Sequence, residues 1–506
     1  MHTVRLRLKT TEYDDYEINR CFHAISHIHN VLVKHAKYLF KKLKHHDEYQ
    51  ACLNEYIGLL KKTKRSRADN SRKKELSVRM NEIRKELGLT EQGLQSYASV
   101  CAKRFRKLVS SHQVQKEATR VYAGVKKVLF EDGDDIHFKK WAEFHTIGGK
   151  SATNGVVFDK ATLSLEWINL NIDCAWPDDN TTKDYVAEAL DADISYCEIE
   201  RKMFPNGWHY YVIVYLKGDP PRKLLSVGTN TSGLDPGTST VAAVSDDMVT
   251  LKELAPRCRQ YNKQIQDLLI RLDRSRRMSN PDKYNPDGTV KKGNHDPWVF
   301  SNTYRRNLNK LRTLYRQKAA YIKQSHEETA NELLKDSIYF YAEGMSYKGL
   351  QRRSKKLERS EKLSEVKQKD GSTKLIHKYK QTKRFGKSLN DRAPAKFLEI
   401  LKRKAQLYGG DVININTREF KASQYDHTAD TYEKKKLSDR IYPLSDGTMV
   451  QRDLYSAFLM KNTDDTLNKP DKEKCIYGFE KFVTMQDELI TRMKENNITM
   501  KQCFGF

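Results

Sequence analysis

A chain of 506 residues with 92 Lys and Arg against 66 Asp and Glu has room for two to four domains and carries a formal net charge of +26. That excess implies an anionic partner, nucleic acid ahead of a membrane surface, because no uninterrupted apolar run is long enough to span a bilayer. Eight cysteines without a CxxC pair read as free thiols, which argues against a disulfide scaffold and against a cysteine zinc site.

The N-terminus, MHTVRLRLKT, alternates apolar and basic residues. It predicts a strand over 1–11 and no apolar signal region, so a soluble cytoplasmic protein without a membrane partner is expected. Phe22, Ile25, Ile28, Leu32, Ala36 and Leu39 then recur at helical spacing and predict a helix over 15–44. Further helices are expected at 47–62, 71–88 and 91–118, the last with Leu94, Tyr97, Cys101, Phe105 and Leu108 on one face. From about 121 the texture is β-rich. Asn206-Gly207, between the runs YCEIERKMF and HYYVIVYLKG, is a strong hairpin signal. The first strand has no partner near it in sequence. It is expected to join this later sheet, which makes the helical block an insertion in a β-barrel.

After Pro220-Pro221 a third texture begins. A strand leads to Asp235, hairpin strands follow to about 254, and a helical pair spans about 256–335. A strand is expected at Ile338–Glu343, then a basic polar stretch to about 390. The helix Ala393–Tyr408 is expected to stop at Gly409-Gly410, and the strand Val412–Asn416 follows. A last helix starts near Arg452 with Leu454, Ala457 and Phe458 inward. This is an α/β domain with helices inserted between strands.

Three carboxylates stand at element ends. Asp235 closes a strand within Gly233-Leu234-Asp235-Pro236-Gly237, Glu343 ends another just before Gly344, and Asp453 opens the last helix. Acids so placed can converge on a pair of Mg²⁺ ions, since hard divalent ions take oxygen ligands and keep positions open for water and phosphate. Each acid also has a commoner structural role, as a turn residue, a solvated strand end or a helix cap. Composition and spacing alone do not single out these three.

Longer segments do. GLDPGTSTVAAV, YFYAEGMSYKGL and QRDLYSAFLM contain the three acids. LDRSRRMSNP, TYRRNLNKLRTLYRQKAAYIKQSHEETAN and RFGKSLNDRAPAKFLEILKRKAQLYGGDVININT lie between them. Over about 230–460 these resemble the RuvC-type nuclease domain of the transposon-encoded TnpB proteins and the related compact type V CRISPR effectors. The resemblance implies a multidomain α/β fold, with an RNase H-like nuclease domain, a wedge-type β-barrel and an inserted α-helical recognition domain. Its boundaries would be 1–14 for the first barrel strand, 15–120 for the recognition domain and 121–229 for the rest of the barrel. The nuclease domain would occupy 230–420 and 451–506, with a flap between them at 421–450. Carried over motif by motif, the catalytic and metal-binding acids fall on Asp235, Glu343 and Asp453. The implied activity is RNA-guided DNA cleavage beside a short flanking motif, with two Mg²⁺ ions for which Mn²⁺ can substitute. The implied partners are a guide RNA, from a transposon end or a CRISPR array, and target DNA, bound by one protein copy.

The chain departs from the family pattern in three places. Gly344-Met345 follows Glu343, and Tyr455 stands where the third motif usually has Asn. Residues 420–453 lack the usual cysteine pairs and hold one histidine, His427. No zinc is therefore expected. The flap would be ordered instead by Tyr425, Tyr432, Ile441 and Tyr442, with Lys434, Lys435, Lys436 and Arg440 facing phosphate. Other candidate nucleic-acid contacts are Arg271, Arg274, Arg276 and Arg277, then Arg352, Arg353, Lys383 and Arg384, and Arg452 beside the third acid. Some of the Tyr and His residues of the N-terminal helices are candidates to stack on bases. The alternatives are an RNA-guided DNA-binding regulator with weak or no cleavage, a transposase-type recombination enzyme, and a resolvase without RNA. The acid order Asp, Glu, Asp differs from the usual transposase order.

Overall fold

The structure is a computed structural model that describes all residues except 63–65, 132, 222–225, 294, 352–358, 368–372, 380–384, 437 and 502. It divides into two compact units, Met1–Arg222 and Lys223–Phe506.

In the first unit, β1 (His2–Leu8) buries alternate residues, as its sequence pattern requires. α1 (Glu12–Lys44) starts at a capping box in which Thr11 and Asp14 each accept the other's backbone N–H. α2 (Asp47–Lys61), α3 (Arg67–Glu86), α4 (Glu91–Cys101) and α5 (Ser111–Phe130) follow. The helix expected over 91–118 is thus two. A 3₁₀ turn at Ala102–Phe105 ends α4, and a Ser110–Gln113 capping box restarts the chain as α5. α5 also runs past the helix-to-strand boundary expected at 121, because Val121 and Val125 continue its buried face.

β2 (Thr146–Gly148), β3 (Val156–Asp159), β4 (Ser164–Trp167), β5 (Leu170–Ala175), α6 (Asn180–Leu190), β6 (Ile194–Phe204) and β7 (Gly207–Leu216) complete the unit. α6 was not expected; Asp179 caps it by accepting the Thr182 N–H. The sheet order is β2-β6-β7-β1-β5-β4-β3. β1 pairs antiparallel with both β7 and β5, so α1–α5 are inserted between one strand and the rest of its sheet. The sheet curls until β3 lies against β6. Gly207 holds the hairpin turn at φ +124°, a conformation that glycine adopts without strain.

The second unit contains β8 (Asn230–Pro236), β9 (Thr240–Val244), β10 (Val249–Glu253), α7 (Cys258–Met278), α8 (Asn302–Leu334), β11 (Ser337–Glu343) and α9 (Tyr347–Gln351). The basic polar stretch carries a hairpin, β12 (Arg359–Lys367) and β13 (Thr373–Tyr379). Then come α10 (Gly386–Arg392), α11 (Pro394–Leu407), β14 (Asp411–Ile415) and α12 (Thr417–Phe420). Two small hairpins follow, β15 (Tyr425–Asp426) with β16 (Thr431–Tyr432), and β17 (Ile441–Pro443) with β18 (Met449–Gln451). The unit ends with α13 (Arg452–Lys461) and α14 (Lys472–Glu495).

Its main sheet has the order β10-β9-β8-β11-β14. β8, β11 and β14 run parallel, whereas β9 and β10 are antiparallel to their neighbours. β9 is buried throughout, and its residues alternate between two cores. Val241 and Ala243 pack with Leu333 and Leu334 of α8 and Phe397 and Leu401 of α11. Ala242 and Val244 pack with Leu454 and Phe458 of α13 and Phe482 of α14. Among the described residues no helix is long and apolar enough to cross a membrane.

Candidate active site

Strand period places the first two acids. Leu234 and Ala342 are buried in the core beneath α8 and α11. Their neighbours Gly233, Asp235 and Glu343 therefore belong to the opposite face, under α13. β8 and β11 are parallel with Leu234 opposite Ala342, so Glu343 follows beside Asp235 at the same end of the sheet.

The third acid arrives on a helix laid directly on that face. A Cβ on Gly233 would overlap the Ala457 carbonyl and the Lys461 amide nitrogen of α13. Only glycine allows this approach. Asp453 lies one turn before Ala457 and so comes down next to Asp235. Gln451 caps this helix by accepting the Leu454 N–H at 2.8 Å, and Asp453 is buried at 7 % exposure.

Asp235 feels both other carboxylates. Burial pushes Asp235 well above the ordinary carboxylate range, the charges of Asp453 and Glu343 push it further, and Arg452 and Arg440 oppose them. Burial also raises Glu343, again opposed by Arg452. Asp453 is held by two guanidinium groups, Arg440 Nη1 at 3.3 Å and Arg452 Nη2 at 3.2 Å. Arg440 is in reach because β17 and β18 zip together and the Arg452 N–H bonds the Arg440 carbonyl at 2.8 Å. Both arginines, expected to meet nucleic acid, thus spend charge on the third acid.

Among the described residues no set of three or more His, Cys, Asp or Glu side chains is closed around a single point as a metal cage. The donor chemistry fits a hard divalent ion all the same. Asp235 lies within reach of the charges of both Asp453 and Glu343, and all three offer carboxylate oxygens. Two neighbours escaped the sequence reading. Gly233 was legible in principle, two residues before Asp235 and so on its face. Tyr347 was not; its hydroxyl donates to the Pro236 carbonyl at 3.3 Å, and burial followed by Asp235 and Glu343 raises its phenol.

The segment 421–450 is built around its one histidine. His427 is buried, with Nδ1 2.8 Å from the Tyr455 hydroxyl, which also accepts the His427 N–H at 3.2 Å. The His427 ring packs edge-on against Phe479 at 4.4 Å. Tyr455, the departure from the usual Asn, is therefore an anchor for this segment. Asp426 accepts N–H and hydroxyl bonds from both Thr428 and Ser445. Burial alone would raise it, but those bonds outweigh burial and hold its carboxyl at about 2. Tyr425 and Tyr442 are buried, whereas Tyr432 stays largely exposed. Lys434 and Lys436 are exposed, and Lys435 lies over the Tyr442 ring at 3.7 Å.

Of the other cations, Arg271 and Arg274 are exposed on α7, with no ion pair among the described residues. Arg276 and Arg277 are engaged within the fold. Both pair with Asp273 at 2.7 Å, Arg276 lies over Trp298, and Arg277 lies over Tyr284. Arg352, Arg353, Lys383 and Arg384 lie outside the described residues.

No family model matches this chain, and no curated protein matches it either. Among solved structures it is similar to one described as "Cryo-EM structure of the Cas12f1-sgRNA-target DNA complex". The identity is 11 % and the TM-score 0.45, over 91 % of this chain and 98 % of that one. A second, "Cryo-EM structure of CRISPR-Cas12f Ternary Complex", has 10 % identity and a TM-score of 0.26 over 92 % and 99 %. Likeness of this degree carries no functional argument, which rests on the residues themselves.

Proposed function

We propose that this chain is an RNA-guided DNA endonuclease of RuvC type, with Asp235, Glu343 and Asp453 as its catalytic acids. The reading rests on Glu343 following beside Asp235 at one end of the β8–β11 pair, and on Asp453 of the overlying α13, whose charge reaches Asp235. The sheet order β10-β9-β8-β11-β14, with one antiparallel wing, suits an RNase H-like nuclease. The +26 charge supports a nucleic-acid partner, and the motif resemblance supports guidance by RNA.

Asp235, Glu343 and Asp453 would hold the metal. A pair of hard divalent ions, Mg²⁺ or Mn²⁺ in its place, would supply charge to the attacking and leaving oxygens of a phosphodiester. Arg440 and Arg452 place positive charge at the same spot, where an incoming phosphate can compete with Asp453 for it. Tyr347 stands beside Asp235 and Glu343, tied to the Pro236 carbonyl.

The test is cleavage of DNA complementary to the RNA that copurifies with the protein. Asp235→Ala, Glu343→Ala and Asp453→Ala should each abolish cutting while RNA and target binding persist. Cutting that survives Asp235→Ala at fixed Mg²⁺ removes the site. Sequence-specific cutting by RNA-free protein removes the guide. A binding-only regulator is the second reading, and the hold of Arg440 and Arg452 on Asp453 favours it. Wild-type protein that binds its target in Mg²⁺ without cutting it would select that reading.

A further inference from the structure

The first unit has a groove of about 810 Å³ lined by the polar edge of α1, by Phe105 and by the segment around Lys139–Trp141. Its floor is rigid. Arg201 is fully buried, with its guanidinium carbon 4.1 Å from the Phe22 ring, 4.2 Å from Trp141 and 4.3 Å from Trp208. Its Nη2 donates to the Trp141 carbonyl at 2.6 Å, and its Nε to the Phe144 carbonyl at 2.8 Å. Trp141 is thus fixed from below. His23 stacks on it, with ring centroids 4.4 Å apart and planes 10° from parallel. One α-helical turn along, His27 lies against Phe105 at 5.6 Å. His23 and His27 are exposed, so they present ring surface to the groove.

The rim is cationic. Lys139 and Lys140 are exposed, and Asn30 fixes their backbone by donating to the Lys139 carbonyl at 2.9 Å and accepting the Lys139 N–H at 3.0 Å. No Asp or Glu lines the groove among the described residues. Burial, helped by Arg201 for His23 and by Arg104 for His27, holds both imidazoles below their ordinary values. Both shifts favour the uncharged form of the rings, beside the two lysines of the rim. A planar, uncharged stacking step beside paired cations matches one ligand chemistry, a base with its phosphates.

We propose that this groove holds an unpaired nucleobase of a single strand, stacked on the His23–Trp141 platform with its flanking phosphates on Lys139 and Lys140. The assignment rests on the nucleic-acid reading above, and RNA or DNA could supply the base.

The test uses the full chain freed of copurifying RNA. Its probes are a short oligoadenylate as DNA and as RNA, and an abasic DNA strand of equal length and charge. Wild-type protein should bind the base-bearing strands more tightly than the abasic one. His23→Ala with His27→Ala should weaken base-bearing strands about tenfold and leave the abasic strand unchanged, since stacking is removed and charge is not. His23→Phe alone should keep the preference because it keeps the ring. Weakening confined to one backbone supports the groove and identifies the strand it holds. Unchanged binding of the base-bearing strands by the double variant would overturn the groove, as would equal weakening for every strand. Wild-type protein that bound no strand at all would also overturn the nucleic-acid reading beneath it.

Discussion

Gly233 and Ala457 touch backbone to side-chain-free backbone: the Ala457 carbonyl occupies the place where a Cβ of Gly233 would stand. This approach sets the height of α13 above β8 and brings Asp453 to Asp235. Gly233→Ala should push the helix away from the sheet. We expect a stability loss of about 1–3 kcal/mol from overpacking. Cleavage should fall much further than melting temperature, because the acids separate. Wild-type cleavage by a folded Gly233→Ala protein would show that this approach does not position the site.

Asp235 and Glu343 both titrate above the ordinary carboxylate range. The folded protein therefore keeps protons that the unfolded chain releases as pH rises past that range. Stability must then fall with rising pH between the unfolded and the raised folded values. Asp235→Asn removes the main offender. In chelator at neutral pH it should melt higher than wild type and show a flatter pH dependence. Added Mg²⁺ should raise the wild-type melting temperature and leave that of the variant nearly unchanged. Thermal melts across pH decide this, and a variant that melts lower than wild type in chelator counts against repulsion at the site.

His427 is a buried neutral ring whose affinity for a proton is lowered chiefly by burial. The unfolded chain takes up that proton below a pH of about 6.5, so stability should decline as pH drops through that point. Tyr455→Phe leaves the His427 N–H and Nδ1 without their shared partner and should cost about 1–3 kcal/mol. Hydrogen exchange should quicken in 421–450 before it does elsewhere. A zinc chelator should not reproduce this effect, and elemental analysis should find no stoichiometric zinc. Unaltered exchange in that segment would mean that Tyr455 does not anchor it.

Two pairs of arginines on one helix should behave differently. Replacing Arg271 and Arg274 by Ala should weaken nucleic-acid binding and flatten its salt dependence, by about 0.7–0.9 in log–log slope for each phosphate no longer neutralised. Replacing Arg276 and Arg277 should instead cost stability, up to about 1 kcal/mol, through Asp273, Trp298 and Tyr284. A binding titration at several salt concentrations separates the pairs. Identical slopes for both double variants would erase the distinction.

Much of the local structure was legible in the residues. The Asn206-Gly207 hairpin and the stop of α11 at Gly409 are written in turn chemistry that acts over a few residues. The positions of the three acids at two strand ends and a helix start follow from the same short-range patterns, and motif resemblance selected them. The break between α4 and α5 was hidden by an apolar stripe that reads through it, although Ser110 and Gln113 carry the restart signal. α6 was missed because its cap at Asp179 lies in a stretch whose overall texture is β-rich.

What tertiary structure alone decided is which charges meet. Asp235 and Asp453 are 218 positions apart in sequence, and no local pattern says that α13 lies on Gly233. Arg440 and Arg452 looked like free phosphate ligands until the β17–β18 pairing carried them to Asp453. Likewise Arg201 and His23 carry no joint signal in sequence, yet the packing of α1 against the curled sheet stacks both on Trp141. Short-range rules act on neighbours along the chain and can be read there. Electrostatic pairing and ring stacking depend on distance in space, which is set only when sheets and helices pack.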